Sequence, residues 1–375
     1  NVYIYGATGY GKTELIRQFF KDEKYIYIPC SRNSCDLSAI PQNNGRSITV
    51  VIDNVNSIVS KDIRNEIKKL CGRSRLWVIV IGRSKMPSWL YDTVVTRNMM
   101  LITEEELALT EEGIDRYMRA EGIILSREEL HFQRQCSEGN LFGVKYTAKR
   151  LLSGDRIGQD LFASNSIMFQ NYLENNIISE LDSEILDFLT KISVVNNFTE
   201  ELAAVISGDP SAQCLIERAM DTGNYIELKN GIYTLRPQML KALRRKASKL
   251  FSEQTLHQYA ILAGGYYETH GEDDKALELY AEYGESERIR ELLIRNSRRT
   301  PESGYYIEMR RYYLMLSDDD IKSSAYLMSA MSMLYSMLLD FDKSEYWYNE
   351  LKRYRNAVCG SKQREAICLL AHLDI

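Results

Sequence analysis

Val2-Tyr3-Ile4-Tyr5-Gly6-Ala7-Thr8-Gly9-Tyr10-Gly11-Lys12-Thr13-Glu14-Leu15-Ile16-Arg17-Gln18-Phe19-Phe20 reads as a buried strand, a glycine-rich turn and an amphipathic helix in immediate succession. From Gly6 to Thr13 the turn spells GxxxxGK[ST] without a gap. Each residue type in that pattern has a physical task. Glycines let the backbone turn tightly, so that successive N–H groups face inward at phosphate oxygens. The following helix adds the positive end of its dipole. Gly6, Thr8, Gly9, Tyr10 and Gly11 therefore form the expected nucleotide cradle. Lys12 reaches the β- and γ-phosphates, and the Thr13 hydroxyl is a Mg²⁺ ligand.

Working outward, a P-loop needs a second strand ending in a carboxylate. Ser47-Ile48-Thr49-Val50-Val51-Ile52-Asp53 supplies it, and Asp53 is the second expected Mg²⁺ ligand. The next residue is Asn54, which cannot take a proton from water at neutral pH. That argues against fast hydrolysis. A third buried run, Leu76 to Ile81, delivers Gly82-Arg83-Ser84 at its carboxyl end, where ligands of open parallel sheets collect. Arg83 is the expected γ-phosphate sensor. Met99 to Thr103 reads as a further short strand, and the alternation of strands and helices predicts a mostly parallel α/β sheet.

Length and composition bound the remainder. The 375 residues are well over twice the roughly 150 that serve as a prior for one domain. With only 6 prolines and 26% charged residues, the chain reads as helix-rich. No apolar run is long enough to span a bilayer, so no membrane partner is expected. A net charge of -5 leaves no basic footprint of the kind that coats nucleic acid. The 7 cysteines are scattered without a CxxC, which excludes a zinc or disulfide framework and suits a reducing, cytoplasmic compartment. The chain opens on Asn1, already inside an apolar run and with no signal peptide; a fragment of a longer protein is expected.

Four ordered motifs within about the first 150 residues carry a resemblance. Gly9-Tyr10-Gly11-Lys12-Thr13 resembles the P-loop of the large ATP-binding LuxR-type transcriptional regulators, the maltose regulon activator-like subfamily of STAND P-loop ATPases. Gly82-Arg83-Ser84 with Pro87 resembles their sensor, and Leu101 through Glu112 their passage into a helical lid. Glu138-Gly139-Asn140-Leu141-Phe142-Gly143 stands where that family has its lid motif, with Asn140 and Leu141 in place of Trp-Pro. Asn54 and Asn56 replace an Asp and a His of the family. The resemblance implies binding of ATP or ADP, nucleotide-dependent self-association, an inducer or protein ligand on helical repeats, and DNA contact through a C-terminal helix-turn-helix absent from this chain. It also implies that Arg236, in Thr234-Leu235-Arg236-Pro237, replaces a phosphate-touching His of a winged-helix domain. Capping or pairing on a helix surface is the competing role for Arg236.

Beyond residue 150 the reading is coarser. Helical stretches lead to Tyr225-Ile226-Glu227-Leu228 and Ile232-Tyr233-Thr234-Leu235, joined through Lys229-Asn230-Gly231, a tight-turn signal. With a helix following, this predicts a winged helix. That helix carries Lys241, Arg244, Arg245, Lys246 and Lys249, spread around it, which suits a solvated face better than a DNA-reading one. Tyr266 to Tyr280 resembles the junction of two helices in a tetratricopeptide-like repeat, and a weaker copy lies at Leu338 to Tyr346. Lys275 and Lys343 are 68 residues apart, about twice the ~34-residue repeat. The methionines Met328, Met331, Met333 and Met337 recur at helical spacing, as core residues do.

The expected architecture is thus an α/β P-loop NTPase core with helical lid (1–150), a winged-helix domain (151–252) and the start of a tetratricopeptide-like all-α region (253–375). The expected function is a nucleotide-controlled signal-transduction switch with at most slow ATP hydrolysis. A conventional P-loop ATPase coupling hydrolysis to mechanical or remodelling work is the alternative, and a helical scaffold with a vestigial site the third reading. No other catalytic constellation is present in the sequence.

Overall fold

The computed structural model describes residues 1–31, 34–41, 47–58, 60–97, 99–156, 158–223, 225–299 and 305–374. The chain divides into two compact units, 1–250 and 251–375.

The first unit begins with β1 (Val2–Tyr5), α1 (Lys12–Phe19), β2 (Tyr25–Pro29), β3 (Ile48–Asp53), α2 (Lys61–Cys71), β4 (Leu76–Gly82), α3 (Tyr91–Arg97) and β5 (Met100–Ile102). All five strands are parallel, in the order β2-β3-β4-β1-β5. Val50, Val51 and Ile52, with Val78, Val80 and Ile81, are wholly buried, as continuous apolar strands covered on both faces must be. One face packs Ile67 and Leu70 of α2 with Leu90 against Val50, Ile52, Val78 and Val80. The other packs Ile16 of α1 and Phe20 against Ile4, Val51, Ile79 and Ile81. The chain leaves β1 toward one edge of the sheet and β4 toward the other, so the carboxyl ends of these neighbours flank the switch point. This is a P-loop NTPase fold. β2 did not stand out in the sequence; its five residues form the edge beside β3.

A helical lid follows: α4 (Glu104–Leu107), α5 (Glu111–Ala120), α6 (Arg127–Ser137) and α7 (Leu141–Leu152). Thr103 with Glu106, and Ser126 with Glu129, form capping boxes that start α4 and α6. Ile114, Met118, Leu125, Val144 and Ala148 make the lid's own core. The long α8 (Gln159–Asn176) then leads to α9 (Ser183–Ile192), β6 (Asn197–Phe198), α10 (Glu200–Ser207), α11 (Ala212–Thr222), β7 (Ile226–Lys229), β8 (Ile232–Leu235) and α12 (Pro237–Leu250). β7 and β8 form the expected hairpin. Asn230 (φ 52°) and Gly231 (φ 78°) supply the two positive φ angles of its tight turn. β6 adds a short third strand on β8, where Phe198 stacks on Tyr233. Three helices, a three-stranded sheet and a closing helix make a winged helix.

The basic helix α12 is not a uniformly solvated face. Arg244 donates to the Ser193 and Val194 carbonyls at the end of α9, and Lys249 and Arg245 pair with Glu174 of α8. The charges of this helix are partly spent inside the fold.

The second unit is helical. It comprises α13 (Glu253–Thr269), α14 (Asp273–Tyr283), α15 (Ser286–Arg299), α16 (Tyr305–Glu308), α17 (Arg310–Tyr313), α18 (Asp318–Lys322), α19 (Ala325–Met337), α20 (Phe341–Ala357) and α21 (Ser361–Leu373). Both expected helix junctions are present, between α13 and α14 and between α19 and α20. Gly271 turns the first with φ 74°. Gly264 lets the Tyr280 ring approach so closely that a Cβ there would lie 2.2 Å from it. The Tyr280 hydroxyl donates to Glu268, which Arg295 also holds, at 2.7 Å. Met328 and Met331 are buried, and Met337 is exposed, so the methionine run is only partly core.

Gly82, at the end of β4, has no room for a side chain: a Cβ would lie 2.1 Å from the Tyr3 hydroxyl and 2.5 Å from Asn56 Oδ1. Overpacking of this kind costs about 1–3 kcal/mol. Gly82→Ala is expected to lower the unfolding free energy of the first unit by that amount, read as a lower denaturant midpoint with an unchanged m-value.

Candidate nucleotide site

The P-loop is shaped by two residues that only glycine satisfies without strain. Gly9 (φ 94°) and Gly11 (φ 77°) take left-handed conformations and also lie against the lid. A Cβ on Gly9 would meet the Asn140 amide at 2.5 Å, and one on Gly11 would meet the Leu141 side chain at 2.6 Å. Asn140, the N-cap of α7, donates from Nδ2 to the Thr8 carbonyl (3.0 Å) and accepts from the Phe142 amide (2.9 Å). Phe142 N–H in turn donates to the Gly9 carbonyl at 3.0 Å. The lid therefore grips the loop by its backbone. Tyr10 is buried, with its hydroxyl directed at the Glu138 carbonyl.

Lys12 folds over the loop and donates from Nζ to the carbonyls of Gly6 (2.6 Å) and Ala7 (2.9 Å). Burial depresses its pKa to about 8, against the opposing pull of Asp53 and with Arg83 adding to the depression. The Thr13 hydroxyl donates to Asp53 Oδ2 at 3.0 Å, so the two expected metal ligands, 40 positions apart in sequence, stand together. Hard oxygens of this kind suit Mg²⁺, which takes one or two carboxylates and completes its shell with phosphate and water. The same Asp53 oxygen accepts from the hydroxyl of Tyr27 in the middle of β2, and burial with this carboxylate contact holds the phenol well above its ordinary pKa. Asn54 takes a left-handed conformation and donates to the Cys30 carbonyl. Asn56 fixes the segment after β4: its Oδ1 accepts from the Arg83 amide at 2.8 Å and its Nδ2 donates to Ser84 Oγ. The Arg83 guanidinium pairs with Glu180 at 3.4 Å.

Arg236 and Glu104 complete the site. Arg236 precedes Pro237 at the start of α12, and its backbone N–H donates to the Tyr225 carbonyl. Its Nη1 lies 2.5 Å from Glu104 Oε1 and its Nη2 3.3 Å from Glu227 Oε1. The other Glu104 oxygen accepts from the Ala7 amide of the P-loop. Glu104 is itself buried, and a Cβ on the neighbouring Gly6 would touch its Cγ at 3.2 Å. One carboxylate thus joins a P-loop amide to an arginine of the winged helix.

Gly6, Thr8, Gly9, Tyr10, Gly11, Lys12, Thr13 and Asp53 gather at one end of the sheet, with Arg83 and Arg236 brought in from β4 and α12. Glu104 and Tyr27 were not singled out from sequence, and Asn140 stood out only as a departure from the family's lid motif. Glu104 had one available signal, its position just beyond the carboxyl end of β5, beside the P-loop strand.

Residues 173–255 match the MalT winged helix domain. The match agrees with the winged helix seen in the fold of this segment. The matched range takes in the end of α8 and everything from α9 to α12, including Arg83's partner Glu180 and Glu104's partner Arg236. The P-loop core and lid precede this matched segment, and the helical unit follows it. No curated protein matches the chain. Among solved structures it is similar to a Walker-type ATPase of Pyrococcus abyssi, at 13% identity and TM-score 0.48 over 65% of this chain and 90% of that one. It is also similar to a STAND protein with a tetratricopeptide repeat sensor from Pyrococcus horikoshii, at 17% identity and TM-score 0.37 over 93% of this chain and 55% of that one. A third is the Holliday junction branch migration motor RuvB of Thermotoga maritima, at 14% identity and TM-score 0.36 over 65% and 87% of the two chains.

The Glu104–Arg236 pair is buried enough that breaking it should cost more than deleting it. Removing one partner of a buried pair costs about 3–5 kcal/mol, because the other charge is left uncompensated. Arg236→Met is expected to fall in that range by chemical denaturation, and the double variant with Glu104→Gln to recover at least a third of the loss. Additive single costs would show that the two side chains do not interact.

Proposed function

We propose that this chain is the nucleotide-controlled switch of a LuxR-type regulator, in which ATP or ADP at the P-loop sets whether the MalT-type winged helix stays docked. The observation that carries this reading is the Ala7–Glu104–Arg236 bridge, which ties the nucleotide loop directly to the winged helix. Gly6, Thr8, Gly9, Tyr10 and Gly11 cradle the phosphates, and Lys12 turns from the loop carbonyls to the phosphate oxygens. Thr13 and Asp53 hold Mg²⁺, which when bound neutralises phosphate charge. Arg83 and Arg236 are the cations able to exchange a carboxylate partner for a terminal phosphate. The exchange couples the site to the winged helix without requiring bond cleavage.

Slow turnover belongs to this reading. Asn54 offers no carboxylate beside Asp53, and its amide is engaged with the Cys30 carbonyl. Self-association, an inducer on the helical unit and DNA contact through a further domain follow the family resemblance. No helix among the described residues is long and apolar enough to cross a membrane.

The decisive experiment is nucleotide binding and turnover by the intact chain. Lys12→Ala is expected to weaken ATP and ADP binding by at least tenfold, about 1.4 kcal/mol. Wild-type turnover is expected to lie well below the ~10 s⁻¹ of a median enzyme. Turnover of tens per second would instead favour the remodelling ATPase, and unchanged affinity in Lys12→Ala a vestigial site.

Lys12 gives the binding a pH signature. Its folded pKa is lowered, so the ammonium is deprotonated as pH rises through about 8. Nucleotide phosphates favour the ammonium and binding takes up a proton above that point. Affinity for ADP measured from pH 6.5 to 9.5 is therefore expected to be flat at first and then to fall, by no more than roughly tenfold per pH unit for one proton. Lys12→Ala should lose this dependence.

A further inference from the structure

Behind the P-loop lies a cavity of about 310 Å³, open to solvent on one side and bounded by lid, α8 and winged helix. Ala7, Thr8 and Tyr10 form its P-loop wall, whereas Lys12, Thr13, Asp53 and Arg83 do not line it. It lies on the side of the loop that Asn140 grips, away from the oxygens of Thr13 and Asp53. Its volume is at the lower end of the roughly 300–1,000 Å³ of small-molecule sites.

The walls carry a specific set of polar atoms. Gln133 is 2% exposed, and its Oε1 has no hydrogen-bond partner. Asn165 donates from Nδ2 to Thr147 at 2.8 Å, but its buried Oδ1 has no partner. Arg236 uses both terminal nitrogens on Glu104 and Glu227, while its buried Nε–H has no partner. Phe169 and Leu173 supply apolar surface beside them. Buried polar atoms of this kind are normally satisfied, so two acceptors and one donor around one cavity call for a complement. While its terminal nitrogens hold two carboxylates, the charge of Arg236 is matched and a neutral ligand suits the remaining Nε–H.

We propose that this cavity is an effector site for a small neutral planar molecule carrying an NH₂ group beside a hydrogen-bond acceptor. The NH₂ would donate to Gln133 Oε1 and Asn165 Oδ1, the acceptor would take Arg236 Nε–H, and the ring would lie on Phe169. Primary aromatic carboxamides and amino-heteroaromatics such as nucleobases share this chemistry. Because Arg236 is both a wall of the cavity and the clamp on Glu104, the ligand and the nucleotide influence each other's affinity reciprocally. That coupling rests on the nucleotide reading above; the cavity's own binding does not.

Nicotinamide and adenine serve as probes of the two ligand types, with benzoate as a planar control lacking N–H donors. They are titrated calorimetrically into the intact chain saturated with ADP and Mg²⁺. Saturable one-to-one binding of nicotinamide or adenine is expected, with benzoate at least tenfold weaker. Which probe binds identifies the ligand type. Gln133→Leu and, separately, Asn165→Leu should each weaken the bound probe by a similar factor. The probe should also slow alkylation of Cys136, which lines the cavity, and leave the exposed Cys214 and Cys359 unaffected. In Lys12→Ala without nucleotide, probe binding persists, so failure of the nucleotide site and failure of this site are separate results. The proposal is overturned if neither probe binds, if benzoate binds equally well, if both leucine variants bind as wild type does, or if ADP displaces the probe stoichiometrically.

Discussion

The first unit is organised around one buried carboxylate. Glu104 holds the Ala7 amide of the P-loop with one oxygen and Arg236 of the winged helix with the other. A carboxylate out of water is tolerable only when its lone pairs are met, and here they are met from two parts of the chain that lie far apart in sequence. That requirement links elements with separate cores. The sheet, the lid and the winged helix each bury their own apolar residues, yet loop and winged helix share a charge that neither can release alone.

The P-loop itself was plain in the sequence because its physics is local. Gly9 and Gly11 must adopt positive φ, Lys12 and Thr13 must follow, and a strand and a helix must flank them. The buried strands around Asp53 and Arg83 were equally visible, since Val50-Val51-Ile52 and Val78-Ile79-Val80-Ile81 are continuous apolar runs. The Asn230-Gly231 turn marked the hairpin. β2 was harder: Tyr25-Ile26-Tyr27-Ile28-Pro29 is short, lies at a sheet edge and is only partly buried, so its pattern carries little contrast.

What sequence could not provide was partnership across long separations. Glu104 is one of three consecutive glutamates, and nothing local distinguishes the one that turns inward. Tyr27 reaches Asp53, and Asn140 reaches Thr8, only after the chain has folded. Arg236 was expected at the nucleotide site by resemblance. Its observed partners are carboxylates, a pairing that depends on where β5 ends relative to the P-loop. The basic helix α12 makes the same point, because its cations found Glu174 and the carbonyls ending α9, and no pattern within the helix foretells those partners.

The winged helix touches the core at more than the glutamate bridge. Arg83 pairs with Glu180, and Ser84 Oγ donates to the Asp221 carbonyl at 3.3 Å, while Asn56 holds both Arg83 and Ser84 from below. Contacts tethered in this way act at high effective concentration: when one opens, the others keep its partners within reach and it closes again. Individual openings are then brief and leave the mount intact. Under the proposed switch, departure of the winged helix requires several contacts to be open together, so the docking acts as a latch that loss of any single contact does not release.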